Sequence, residues 1–328
     1  MTSIDAIVDA STAGGDQDRH RAMLADVREG LSRTPRELSP KFFYDERGSR
    51  LFEEITRLPE YYLTRAEREI LLSKASEIVG TTGARTLVEL GAGSAAKTRI
   101  LLAAMREHSP TVTYVPIDVS EEFLEQTRDA LEQELPWLRV EPVVADMSVA
   151  IDLPADVRGP VLFAFLGSTI GNFDTPSAVD LLRRIADDMQ PGDRLLLGTD
   201  LRKDPYVLDA AYNDAAGVTA EFNRNMLRVL NAQLGPDFCT ERFAHRAFYN
   251  ESEHRIEMHL DAKGAQTVHD PGLPPLTFAD GEGIRTELSY KYDRATVDAL
   301  AGAASLSVSQ WFVDAQSRFA LSILEARS

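Results

Sequence analysis

Between residues 85 and 200 the chain repeatedly sets a short apolar run against an amphipathic helical stretch. "RTLVEL" (85–90), "VTYVPID" (112–118), "RVEPVVAD" (139–146), "VLFAFLG" (161–167) and "RLLLGTD" (194–200) read as strands. Their apolar residues are near-continuous rather than alternating, as expected of strands covered on both faces. A helix from about Lys97 to His108 and the helix "EEFLEQTRDALEQEL" behind a Ser120 cap lie between them. A third helix starts with Thr175 as cap and Pro176 at its first position, and Thr64 with Glu67 forms a capping box for a helix through Val79. Such alternation predicts an α/β fold, a parallel doubly wound sheet with right-handed crossovers.

The alternation stops after Asp200. Residues 202–250 read as mainly helical, and strand-like segments follow, including "HRIEMHLDA" (254–262) and "TELSYKY" (286–292). A helix (294–304) and two strands, "LSVSQWFVDA" and "RFALSILEA", would close the first sheet with an antiparallel hairpin. The expected layout is discontinuous. Residues 66–201 and 292–328 form a nucleotide-type domain, while 19–65 and 202–291 form a second, α+β domain for substrate. Residues 1–18 are small, polar and acidic, and are expected to be poorly ordered.

Of the 328 residues, 44% are hydrophobic and 27% charged, which is ordinary globular composition. The formal net charge of −17 disfavours nucleic acid and anionic membrane surfaces as partners. No apolar run approaches a membrane span, and a single cysteine, Cys239, excludes an intrachain disulfide or a thiolate metal cluster. A cytoplasmic protein acting on a small molecule is expected.

"LVELGAGSAAKT" (87–98) supplies a strand, a glycine turn and a helix start. Gly91 and Gly93 permit a tight turn and close approach of backbone to a ligand. The third glycine of a dinucleotide loop is replaced by Ala96, and P-loop spacing is absent. Asp118 ends the second strand, where a carboxylate can accept ribose hydroxyls; Asp146 ends the third, where one can receive an adenine amino group. With Glu89 they make three strand-end acids, an awkward setting for pyrophosphate. They suit S-adenosylmethionine, which carries an amine and a sulfonium and no phosphate.

"FLGSTIGNF" (165–173) is more specific. With "KFFYDERGSRLFEEITRLPEYY", "LVELGAGSAAKT", "LLLGTDLRKD", "AYNDAAGVTAEFNRN" and "TELSYK", the chain from about residue 20 onward resembles the histidine-specific S-adenosylmethionine-dependent methyltransferases. The resemblance implies a Rossmann-like class I methyltransferase domain beside a substrate-binding domain, with α-amino trimethylation of L-histidine to hercynine at the head of ergothioneine biosynthesis. It implies cofactor contacts at Gly91, Lys97, Asp118, Asp146 and Met147. Tyr61 and Asn172 would hold the α-amino group as the catalytic pair, with Gly167 beside the substrate and Tyr44 and Tyr212 near its carboxylate. Met258 would line the imidazole pocket, with Glu287 and Ser289 bonded to the ring nitrogens. No metal and a monomeric state are expected. Two departures, Ala92 for a hydroxyl residue and Ala96 for an acidic one, bear on cofactor affinity only.

In "TELSYKY" alternation puts Arg285, Glu287, Ser289 and Lys291 on one face, which in isolation reads as a face toward water. The resemblance turns Glu287 and Ser289 toward an imidazole and assigns nothing to Lys291. His254 and His259 flank Glu257, but residues five apart on a strand face opposite sides and cannot chelate together. Rival functions are methylation of another amino acid, such as tryptophan or tyrosine, which Glu287 opposes, and a nicotinamide-dependent oxidoreductase or nucleotide sensor, which the missing glycine and the strand-end acids oppose.

Overall fold

A computed structural model describes residues 20–92, 95, 97–119, 121–145, 153–154, 157, 159–270 and 273–327. The stretch 1–18 and the positions of Gly93, Ala96, Ser120, Asp146 and Met147 lie outside the described residues. The chain runs through α1 (20–32), β1 (Arg36–Glu37), a 3-10 turn (Pro40–Phe43), α2 (Glu46–Ile55) and α3 (Leu63–Thr82). Alternation then follows: β2 (Thr86–Leu90), α4 (Thr98–His108), β3 (Val112–Asp118), α5 (Glu121–Glu134), β4 (Leu138–Val140), β5 (Val143–Val144), β6 (Val161–Phe165), α6 (Thr175–Asp188) and β7 (Arg194–Asp200). Next come α7 (Pro205–Tyr212), α8 (Val218–Leu234) and strands β8 (Phe243–Asn250), β9 (Arg255–Ala262), β10 (Gln266–Asp270), β11 (Leu273–Phe278) and β12 (Gly283–Tyr290). Helix α9 (Arg294–Ala303) and strands β13 (Leu306–Val313) and β14 (Phe319–Ala326) complete the order.

Two compact units divide these elements. One takes the chain up to Tyr61 with Asp204–Ser252 and Ile256–Leu288; the other takes Tyr62–Lys203, Glu253–Arg255 and Ser289–Ser328. The second unit holds the large sheet, in the order β13-β14-β7-β6-β2-β3-β4, with β5 paired to β3. Strands β7, β6, β2, β3 and β4 are parallel, and β14 and β13 join antiparallel. The doubly wound α/β expectation is met, hairpin included. Chain order reverses between β2 and β6, so the carboxyl ends of these neighbours flank the switch point where open α/β sheets bind ligands.

Burial explains the near-continuous apolar strands. Val88, Leu90, Val115, Ile117, Phe163 and Phe165 pack on one face against Leu181, Leu182 and Ile185 of α6 and Val297 and Leu300 of α9. The alternate residues Leu87 and Glu89 are buried too, on the side where α4 begins. Each fully buried Leu or Phe contributes about 2 kcal/mol of transfer free energy.

Three local expectations change. The third strand is broken into β4 and β5 because Pro142 has no amide to give to the ladder. Helix α6 is capped by Asp174, whose carboxylate accepts from Ser177 N at 2.9 Å, with Thr175 already helical. Helix α3 starts after Tyr62 with no side-chain cap, and Glu67 has a different task.

The other unit has a sheet in the order β1-β12-β9-β8 and a separate β10-β11 hairpin. Helix α8 packs against α2 and β8, and Asn225 Nδ2 donates to Asp45 Oδ1 at 2.8 Å. The same carboxylate oxygen caps α2 through Gly48 N at 2.6 Å. A Cβ on Gly48 would lie 1.7 Å from the Phe43 carbonyl oxygen, so only glycine fits this turn.

Candidate active site

At the carboxyl end of β2 the chain turns at Gly91, in the left-handed region at φ 68°, and both Gly91 N and Ala92 N donate to Ile117 O of β3. Lys97, at the foot of α4, reaches back to the carboxylate of Glu67. Glu67 is fully buried, and its other oxygen accepts from Gly167 N at 2.8 Å. Gly167 lies just past β6 at φ 73°, and a Cβ there would sit 3.4 Å from Lys97 Nζ. One carboxylate thus ties the turn after β2 to the turn after β6. The spacing of Thr64 and Glu67 suggests a capping box instead; nothing local reveals that Glu67 faces inward.

Glu89 is also buried, accepting from Thr98 Oγ at 2.6 Å and from the Tyr114 hydroxyl. Burial pushes its carboxyl up to about 7, against the opposing pull of those two bonds, and pushes the Tyr114 hydroxyl well above its ordinary range. Glu89 therefore fastens α4 to the sheet rather than meeting a ligand as a strand-end acid. Asp118, at the end of β3, is half-buried and caps Val119 N at 2.8 Å.

In the same unit a 3-10 turn, Thr169–Asn172, follows Ser168, which holds φ 61° and accepts from Asp200 N at 2.9 Å. A Cβ on Gly171 would come within 2.9 Å of Tyr290 O and 3.2 Å of Tyr290 N. The turn bearing Asn172 is therefore seated directly on the last residue of β12, next to Ser289. Ser289 is buried, and so is Lys291 beyond it. This face of "TELSYKY" does not end in water: Lys291 Nζ lies 2.8 Å from Asp200 Oδ2 and 2.9 Å from Ser289 Oγ. Asp200 also accepts from the Tyr62 hydroxyl at 2.9 Å and from Lys203. Burial alone would raise the Asp200 carboxyl; Lys291 and Lys203 outweigh it and hold it below its ordinary value. Burial lowers the Lys203 ammonium to about 8. Sequence reasoning missed Tyr62, Asp200 and Lys203, and the acid ending the fifth strand run was the available signal.

The other unit gathers three of the expected substrate tyrosines. Edge-to-face contacts run from Tyr44 to Phe52 (5.8 Å), Phe52 to Tyr61 (6.3 Å) and Tyr61 to Tyr212 (6.3 Å). Tyr61 and Tyr212 are buried, whereas Tyr44 is 48% exposed. Tyr212 ends α7, and its carbonyl lies 2.9 Å from His245 Nε2; Asn223 Nδ2 lies 2.8 Å from His245 Nδ1. An amide donor on Nδ1 requires the neutral ring with its proton on Nε2. Burial depresses the His245 pKa and favours that form. Met258 is buried on β9, and Glu287 is half-buried on β12. Glu257 is occupied by Asn250 Nδ2 and His259 Nε2, each at 3.1 Å. Among the described residues no group of three or more His, Cys, Asp or Glu side chains is placed to hold a metal ion, and no helix is long and apolar enough to cross a membrane.

The family model described as "Histidine-specific methyltransferase, SAM-dependent" matches residues 23–326. The chain belongs to this family. As a histidine-specific methyltransferase it uses S-adenosylmethionine as methyl donor, and the switch-point turns fit that molecule. Gly91 permits close approach, Asp118 offers a carboxylate at the end of β3, and Lys97 is already neutralised by Glu67, leaving this loop no unpaired ammonium for a pyrophosphate. The chain is 45% identical over 303 residues to the histidine N-alpha-methyltransferase of Mycolicibacterium smegmatis, spanning 92% of this chain and 94% of the relative. It is 44% identical to the enzyme of the same name from Mycobacterium tuberculosis, over 94% and 96% of the two chains. Ergothioneine biosynthesis protein 1 of Neurospora crassa is 33% identical across 84% of this chain and 32% of its own length.

Proposed function

We propose that this methyltransferase transfers three methyl groups in succession from S-adenosylmethionine to the α-amino nitrogen of L-histidine, forming hercynine as the first step of ergothioneine biosynthesis. The observation that carries the reading is the 45% identity, over nearly the whole of both chains, to a histidine N-alpha-methyltransferase. The sulfonium supplies the electrophilic methyl carbon. What remains for the protein is to aim a neutral amine along the carbon–sulfur axis, and positioning is the main source of rate in such a step.

Gly91, Gly93, Lys97, Asp118, Asp146 and Met147 make the cofactor contacts in this reading. Tyr61 and Asn172 orient the amine, Gly167 lies beside it, and Tyr44 and Tyr212 approach the carboxylate. Met258 lines the ring pocket, while Glu287 and Ser289 bond the ring nitrogens. Glu287 and Ser289 are two apart on β12, so a strand directs both to the same side. A phenol and an amide can donate to the amine or accept from it, so the pair serves the primary, secondary and tertiary amines in turn. The substrate is free L-histidine and the protein is a cytoplasmic monomer.

Mass spectrometry of histidine incubated with the full chain and S-adenosylmethionine tests the function directly. Additions of one, two and three methyl groups, with fragments placing all three on the α-nitrogen, are expected. Ring methylation, or modification of tryptophan in preference to histidine, would overturn the reading.

A further inference from the structure

Helix α3 turns one fully buried carboxylate, Glu67, toward the large sheet, and β7 makes room for it. A Cβ on Gly198 would lie 2.6 Å from Glu67 Oε1, so this strand position is glycine for want of space. The two oxygens of Glu67 are used separately. Oε1 accepts from Gly167 N at 2.8 Å, and Oε2 accepts from Lys97 Nζ. A backbone amide and an ammonium can only donate, so a carboxylate answers both. A glutamine in its place has one acceptor and must turn its NH2 against the other donor. The ion pair occupies one of the three ammonium donors, and 24% of the Lys97 side chain stays exposed. Gly167 leads directly into Ser168 and the turn bearing Asn172. Glu67, Lys97, Gly167 and Gly198 all belong to the unit that holds the large sheet.

Resting on the proposed reading in which Lys97 meets S-adenosylmethionine and Gly167 lies beside the substrate amine, we infer that Glu67 is a positioning residue shared by the two ligands: it aims the Lys97 ammonium at the cofactor and pins the Gly167 turn to the same carboxylate. Methyl donor and acceptor are thereby set relative to one another. Transfer along the carbon–sulfur axis depends on that relative placement more than on either ligand's affinity alone.

A double-mutant cycle in the full chain makes the test, with Glu67→Gln, Lys97→Met and the two combined. Histidine methylation is followed at limiting concentrations of both ligands, so that loss of either tie is registered. In the parent background Glu67→Gln lowers this rate by about tenfold to a hundredfold, the loss of one charged hydrogen bond whichever donor the amide abandons. In Lys97→Met the ammonium is gone and a single acceptor suffices for Gly167, so Glu67→Gln costs less than about threefold. A merely structural carboxylate would cost the same factor in both backgrounds. That result, or a harmless Glu67→Gln in the parent, overturns the inference. A second readout needs neither turnover nor a Glu67 variant. Saturating S-adenosylhomocysteine slows amide hydrogen exchange at Gly167, read by nuclear magnetic resonance, by about tenfold or more in the parent and by less than about threefold in Lys97→Met. No slowing in the parent, or equal slowing in both proteins, overturns the inference. Absence of histidine methylation in the parent is a separate failure, that of the proposed function, and leaves the exchange measurement to decide.

Discussion

Glu89 shows how a single buried carboxyl can set the pH response of the fold. Its ordinary value is 4.5, and burial raises it to about 7 in the folded chain. The folded state therefore binds this proton more tightly than the unfolded state does. The associated stability is complete below about pH 4.5 and is lost as pH rises through 7. At about 1.4 kcal/mol per unit, ionising Glu89 in place costs about 3 kcal/mol. Glu89→Gln keeps an acceptor for Thr98 and Tyr114 but cannot ionise. Urea unfolding at pH 4.5 and pH 8 should show the variant gaining about 3 kcal/mol on the parent between the two. Parallel stability curves would rule out the buried ionisation. Sequence placed Glu89 correctly near the end of a strand but gave it a ligand-facing role, because alternation identifies a face and not what covers it. Lys291 shows the same limit, since its burial depends on Asp200, 91 residues earlier.

Among the elements, β3 has the bounds read from sequence, because seven residues of nearly unbroken apolar character have no other use than a covered strand. Boundaries went wrong where one residue outweighed the pattern: Pro142 splits the third strand, and Asp174 displaces Thr175 as a cap. The turn bearing Asn172 was legible as a motif, but its seat was not. That seat is the backbone of Tyr290, and it leaves no room for a methyl group at Gly171. Gly171→Ala should push the turn off β12 and carry Asn172 with it. Displacements near 1 Å at a reacting centre cost about a hundredfold in rate. Histidine turnover is accordingly expected to fall by about that factor, while S-adenosylmethionine affinity by calorimetry stays within about threefold. Unchanged turnover would show that the turn does not position the amine.

For the whole molecule, the strand–helix alternation was enough to give the architecture of the large sheet, closing hairpin included. The ring series of Tyr44, Phe52, Tyr61 and Tyr212 was not legible as a series, because it joins segments about 150 residues apart whose meeting depends on tertiary packing. Neither was the consequence of the strand order. β14 is the last strand in sequence, yet it lies between β13 and β7, with Leu321, Ile323 and Leu324 fully buried. Removing residues 319–328 should abolish the cooperative thermal transition seen by circular dichroism, whereas removing Arg327 and Ser328 should leave it intact. A cooperative melt after the longer deletion would mean that β7 can serve as an edge.

That placement also governs when the protein can exist at all. During synthesis the parallel strands emerge first, and β13 then appears before β14, which lies between it and them. The sheet stays open along β7 until Phe319–Ala326 have been made. A chain stopped before Phe319 lacks an inner stave of the sheet and leaves β7 as an unpaired edge, open to non-native strand pairing.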